Sequence, residues 1–169
     1  MRLLVANFDS QQIVTREQVV EAVLALPYRH ISGIQVIRYD PSRTIATTLS
    51  YLSEQPSVIS SQGLFYHDRE SAVIVLFGFS SRAQFYHVLY HEIGHYVFLR
   101  RLDQAQRDVW MYRIRKAEPG TVSAYAGRNS REDFAETYAF WCTRRERLAS
   151  FPMRYTFFAE RVFGPDLKP

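Results

Sequence analysis

A single cysteine, Cys142, in 169 residues excludes an internal disulfide and a cysteine-based zinc module, so a metal held by this chain needs histidine and carboxylate ligands. Seven glycines and seven prolines are too few for collagenous or low-complexity classes. Long apolar runs are also missing. The longest, Ala72 to Phe79, is less than half a membrane span, and the opening MRLLVANFDSQQ has too short an apolar stretch for a secretory signal. No membrane partner is expected, and the compartment stays open. Lysine is scarce: nineteen of the 21 basic residues are arginine. No internal repeat or linker stands out.

What the chain has in abundance is apolar and aromatic surface, with 47% hydrophobic residues, 12 Phe and 11 Tyr. At 19.8 kDa that suits one folded domain over residues 1–169, made of an α/β part (1–80) and a helical part (81–169). The net charge of +4 is uneven, with 7 basic and 8 acidic residues up to position 97 against 14 and 9 beyond it. The C-terminal arginines alternate with acids as on a solvated helix face, which makes a nucleic-acid partner the less favoured reading.

Thr15-Arg16-Glu17-Gln18 fits a capping box for a helix over 16–26, closed by Pro27. Gly33 to Tyr39 alternates as a strand. Residues 43–52 are ambiguous between strand and helix, and 53–61 read as a loop. Gly63 to His67 and Ala72 to Phe77 form a hairpin pattern around Asp68-Arg69-Glu70-Ser71. The second run is apolar throughout, as an inner strand would be, and the first is mixed, as suits an edge to which an extended peptide could add. Gly63 would let that peptide approach closely. Ser81-Arg82-Ala83-Gln84 reads as a second capping box, opening a long helix with Phe85, Leu89, Ile93, Tyr96 and Val97 on one stripe. Further helices are expected over 102–117, from a Ser130 cap to about Leu148, and over 153–163, after a break at Pro152.

The long helix carries His91-Glu92-Ile93-Gly94-His95, an HExxH motif. Residues four apart share a helix face, so both imidazoles can meet one cation while Glu92 reaches a water beside it. With five histidines and ten glutamates in the chain, shuffling yields the pattern in about one case in a hundred. Neither His30 nor His67 follows the motif, so the third ligand must be one of the nine acids from Asp103 to Asp166. Glu132 and Glu136 are four apart on an apolar helix, placed as a ligand and its supporting partner would be. His87 shares the face of His91 but lies a turn away from a cation between His91 and His95, which suits a carboxylate partner or the cleft wall better than a fourth ligand. Cys142 reads as core.

Ser123-Ala124-Tyr125-Ala126-Gly127-Arg128-Asn129-Ser130-Arg131-Glu132-Asp133-Phe134-Ala135-Glu136 resembles the second signature of zinc metalloproteases related to the anthrax lethal factor catalytic domain, an architecture shared by the Pro-Pro endopeptidases. That family has HExGH, then a Tyr, and seven residues beyond it a zinc-binding Glu followed by Phe/Tyr-Ala-Glu; Tyr125 and Glu132 keep the interval. The resemblance spans about Ser81 to Cys142. It implies zinc ligands His91, His95 and Glu132, Glu92 as general base and Tyr125 as the phenol stabilising an oxyanion. Asp133 stands where the family usually has an apolar or aromatic residue, which keeps Asp133 and Glu136 as alternative third ligands.

The expected fold is therefore α+β and compact, zincin-like, with a small mixed sheet over the HExxH helix and a helical C-terminal part. The expected function is zinc-dependent peptide-bond hydrolysis acting on a peptide or protein substrate. The alternative is a non-catalytic module that keeps zinc for stability and contacts acidic or nucleic-acid partners through its C-terminal arginines.

Overall fold

The computed structural model describes residues 3–44, 58–59, 62–67 and 71–164. The ambiguous stretch 43–52, most of the 53–61 loop and the hairpin turn at 68–71 lie largely outside the described residues. Five strands, β1 (Leu4–Ala6), β2 (Ile34–Tyr39), β3 (Val58–Ile59), β4 (Gly63–His67) and β5 (Ala72–Leu76), form one mixed sheet in the order β1-β2-β5-β4-β3. β1, β2 and β5 run parallel, whereas β4 is antiparallel to β5 and β3 antiparallel to β4. With α1 (Arg16–Leu24), α2 (Tyr28–Ile31), α3 (Arg82–Arg100), α4 (Gln104–Asp108), α5 (Arg115–Ala117), α6 (Ser130–Thr143) and α7 (Pro152–Phe157), this is an α+β fold. Among the described residues, no helix is long and apolar enough to cross a membrane.

The sheet buries both faces around its centre. Ile37, Phe65, Ile74 and Leu76 join the main core against α3, where Phe65 meets Tyr96 edge-on at 5.8 Å. Leu64, Val75 and Phe77 form a second cluster, which explains why the β5 run is apolar at every position. The edge assignment for β4 is corrected: β3 pairs with it, Val58 opposite Phe65 and Ile59 opposite Leu64. The neighbour comes from a segment that reads as a loop, because two ladder positions leave no periodicity to detect. A substrate strand along the middle of β4 is therefore already replaced by the chain itself.

Helix starts follow side-chain chemistry closely. Thr15 and Gln18 form the full capping box of α1. At α3 only half of the expected box forms: Ser81 accepts from Gln84 N, but the Gln84 side chain turns to the Ser80 backbone N–H and hydroxyl. The cap of α6 is Asn129 rather than Ser130, its Oδ1 accepting from Arg131 N and Glu132 N. α6 ends at Thr143, before a 3-10 segment over Arg145–Ser150. The expected helix over 102–117 is interrupted by a π-helical stretch, Val109–Ile114. Trp110, in that stretch, is fully buried and donates from Nε1 to Ser130 O, fixing the start of α6.

α3 and α6 come into close backbone contact at Gly94. A Cβ there would lie 2.9 Å from Ala135 Cα and 3.0 Å from Tyr138 Cβ, so only glycine lets the two backbones meet at this depth. On the opposite side of α6, Asp133 binds Arg154 of α7, with Nη2 to Oδ2 at 3.0 Å, and Arg115 approaches the same oxygen at 3.3 Å. Arg154 also reaches Glu118 Oε2 at 3.1 Å. Arg154 and Asp133 are both buried, so removing one strands the other. Replacing Arg154 by Met should cost about 3–5 kcal/mol of stability, read from the urea midpoint at unchanged slope, and adding Asp133→Leu should recover much of it. A loss within about 0.5 kcal/mol, ordinary for a surface change, would contradict a structural role for the pair.

Candidate metal centre

His91 and His95 lie one turn apart on α3, and Glu132 sits in the first turn of α6, where the helix dipole favours an acid. The close crossing at Gly94 brings them together. Glu132 Oε2 is 3.1 Å from His91 Nε2 and 3.3 Å from His95 Nε2, and the two nitrogens are 3.1 Å apart. A tetrahedral zinc with arms of 2.0–2.1 Å spans ligand-to-ligand edges of about 3.3–3.4 Å, close to this triangle. Glu132 Oε2 is buried, and neither imidazole meets it at an angle that makes a hydrogen bond. Three buried ligand atoms thus converge, and only the two ring nitrogens can share a hydrogen bond while the carboxylate oxygen is left without one, an arrangement a cation resolves. The donor set, two imidazoles and a carboxylate, suits zinc.

Glu136 supports this group from one turn further along α6. Its Oε1 accepts from His91 Nδ1 at 2.9 Å and from His87 Nε2 at 3.0 Å, which leaves His91 Nε2 turned to the centre. The Ser123 hydroxyl donates to Glu136 Oε2 at 2.6 Å and accepts from Ala126 N at 3.1 Å, tying the loop that carries Tyr125 to α6. His95 Nδ1 has no hydrogen-bond partner among the described residues, so a carboxylate orients one of the two rings only.

The electrostatics ask for positive charge here. Burial disfavours a charged His91, but the Glu132 and Glu136 carboxylates outweigh it and raise its pKa to about 10. Burial dominates at His95 and lowers its pKa. Burial pushes the Glu132 carboxyl up and the two imidazoles pull it down further, to about 2, while His87 and His91 hold Glu136 well below the carboxylate range in the same way. A proton on His91 supplies one positive charge between these acids; a divalent cation supplies two.

Glu92, fully buried beside His91, faces the start of β4, where Gly63 leaves it room. Tyr125 is half-buried with its ring edge-on to His91 at 5.6 Å, and Arg128 lies over the ring at 4.4 Å. Burial and the nearby Glu132 raise the Tyr125 pKa, so its hydroxyl keeps its proton. Asp133, the neighbour of Glu132, points away to Arg154 and takes no part in this group. Glu118 is likewise spent on Arg154 and the N–H groups opening α7. Cys142 is held inert by burial, its pKa pushed up to about 12. Ser123, Arg128 and Gly63 carry no motif of their own, since their contacts arise only when distant segments meet.

No family model matches the chain, and comparison with curated proteins finds no match. Among solved structures, the chain is similar to a provisionally assigned zinc-binding metallo-peptidase from Bacteroides caccae, at 12% identity and a TM-score of 0.45, covering 98% of this chain and 81% of that one. The resemblance to lethal factor therefore rests on the motif residues alone. The buried His91, His95 and Glu132 form a group that could hold a metal ion. Substituting Glu132 by Ala should abolish most zinc binding, and Glu136→Ala should weaken it about 10–100-fold, both measured by competition with a chromophoric chelator. Zinc kept by the first variant and lost by the second would exchange the two roles.

Proposed function

We propose that this chain is a zinc-dependent endopeptidase with a zincin-like catalytic arrangement, as its resemblance to the lethal factor and Pro-Pro endopeptidase group implies. The observation that carries the reading is the buried convergence of His91, His95 and Glu132 beside another buried acid, Glu92, which shares α3 with the two histidines. A zinc ion held by His91, His95 and Glu132 supplies Lewis acidity, lowering the pKa of a water from about 15.7 to near 7.

Glu92 takes the proton of the attacking water and passes it to the amine that leaves, a transfer suited to a carboxylate beside the ligands and outside the ligand set. The Tyr125 hydroxyl, protonated at neutral pH, donates to the oxyanion of the tetrahedral intermediate, a contact of the kind that contributes about 2.7–4 kcal/mol. Arg128, stacked on that ring, and Ser123, at the root of its loop, hold the phenol near His91. Glu136 keeps His91 in the tautomer whose Nε2 faces the centre.

A module that keeps zinc for stability alone has no use for Glu92 or Tyr125. The Glu92→Ala protein should fold, retain one zinc per chain and hydrolyse no peptide, and Tyr125→Phe should lower kcat with little change in KM. Both are checked with a peptide library read by mass spectrometry, with and without chelator. Undiminished cleavage by Glu92→Ala would exclude this mechanism, and chelator-resistant cleavage would exclude the metal.

A further inference from the structure

We infer that Gly63 is a positioning residue: the bare Cα of this first residue of β4 forms the wall that fixes where the Glu92 carboxylate sits. A Cβ at Gly63 would overlap Glu92 Oε1 and lie 2.8 Å from both its Cδ and its Cγ. Swinging the carboxylate tip aside does not relieve two contacts further down the side chain, so the whole rotamer must change. Glu92 is completely buried on a helix whose neighbours from Val88 to Phe98 are buried too, and a new rotamer therefore displaces packed atoms.

The strand has little freedom to retreat. Gly63 pairs with Leu76 in β5, and the preceding residue, Gln62, accepts from Phe77 N at 2.8 Å. No glycine among the described residues has a positive φ, so the requirement at Gly63 is for space and not for backbone conformation. The space expected to admit a peptide at Gly63 is instead occupied by Glu92 of the same chain. At this end of β4 the sheet meets the helix at the Glu92 side chain itself, and a shift of about 1 Å in such a group can cost on the order of 100-fold in rate. The contact stands by itself; its catalytic meaning rests on Glu92 acting as the proton carrier proposed above.

The test is a double-mutant cycle of Gly63→Ala and Glu92→Ala in the zinc-loaded protein, followed by urea denaturation, zinc content and steady-state kinetics on a peptide that the wild type cleaves from a synthetic library. Gly63→Ala should lower the urea midpoint in the wild-type background and leave it nearly unchanged in the Glu92→Ala background, where the colliding side chain is gone. Gly63→Ala should keep one zinc per chain and lose about 10–100-fold in kcat with KM unchanged, a split that general loosening of the fold does not give. Equal midpoint shifts in both backgrounds, or an unaltered kcat, would overturn the inference. If Gly63→Ala alone fails to fold, folding of the double variant supports the contact and failure of both overturns it. A wild-type protein that cleaves nothing in the library refutes the peptidase reading, and the denaturation cycle then decides the contact alone.

Discussion

Everything at the candidate centre depends on how closely two helices pass. Gly94 of α3 packs against the backbone of Ala135 in α6, at a distance that any Cβ at position 94 would forbid. Because side chains one turn apart share a face, this contact sets His91 and His95 on one helix against Glu132 and Glu136 on the other. A wider crossing would open the triangle of 3.1–3.3 Å edges beyond the reach of one small cation. The second variable position of HExxH, Gly94, is therefore where this site is spaced, although it offers no ligand atom. Trp110 at the start of α6 and the Asn129 cap then fix where along that helix Glu132 falls.

The second constraint is the separation of charges on α6. Glu132 and Asp133 are adjacent and both buried, yet the 100° step between successive helical residues turns them toward different neighbours. Glu132 faces the histidines and Asp133 faces Arg154, with Arg115 beside it. Each acid is thereby answered by its own positive partner, so α6 is clamped to α7 through one and left able to bind a cation through the other. A buried acid with no such partner would cost several kcal/mol or take up a proton. Pairing Asp133 with Arg154 explains how a carboxylate is held at this fully buried position.

Much of this arrangement was legible in the sequence because it is local. The HExxH spacing, the stripe along α3, the Thr15 capping box and the all-apolar β5 each depend on residues within a few turns of one another. The four-residue interval between Glu132 and Glu136 put both acids on one face of α6 in the same way, and both lie against His91. The missing parts are the ones that need partners far along the chain. β3 has two residues and no period, β1 has three, and the Asn129 cap competes with an equally plausible Ser130 one position later. The resemblance points to Tyr125 through its interval to Glu132, and its ring lies beside His91, but the Arg128 stacking and the Ser123 bridge to Glu136 exist only after the loop packs on α6. Gly63 is expected from the sequence to admit a substrate peptide, whereas the space beside it holds Glu92, a contact that exists only once the sheet meets α3.

The central claim is that His91, His95 and Glu132 form one zinc site with two nitrogen donors and an oxygen donor. X-ray absorption at the zinc edge, on protein loaded with one equivalent of metal, tests it most directly. The account predicts a single site with two imidazole nitrogens and oxygen ligands at about 2.0–2.1 Å, and loss of that spectrum in Glu132→Ala. A sulfur scatterer at about 2.3 Å, which only Cys142 or a methionine could provide, or an unchanged spectrum in the Glu132 variant would contradict it.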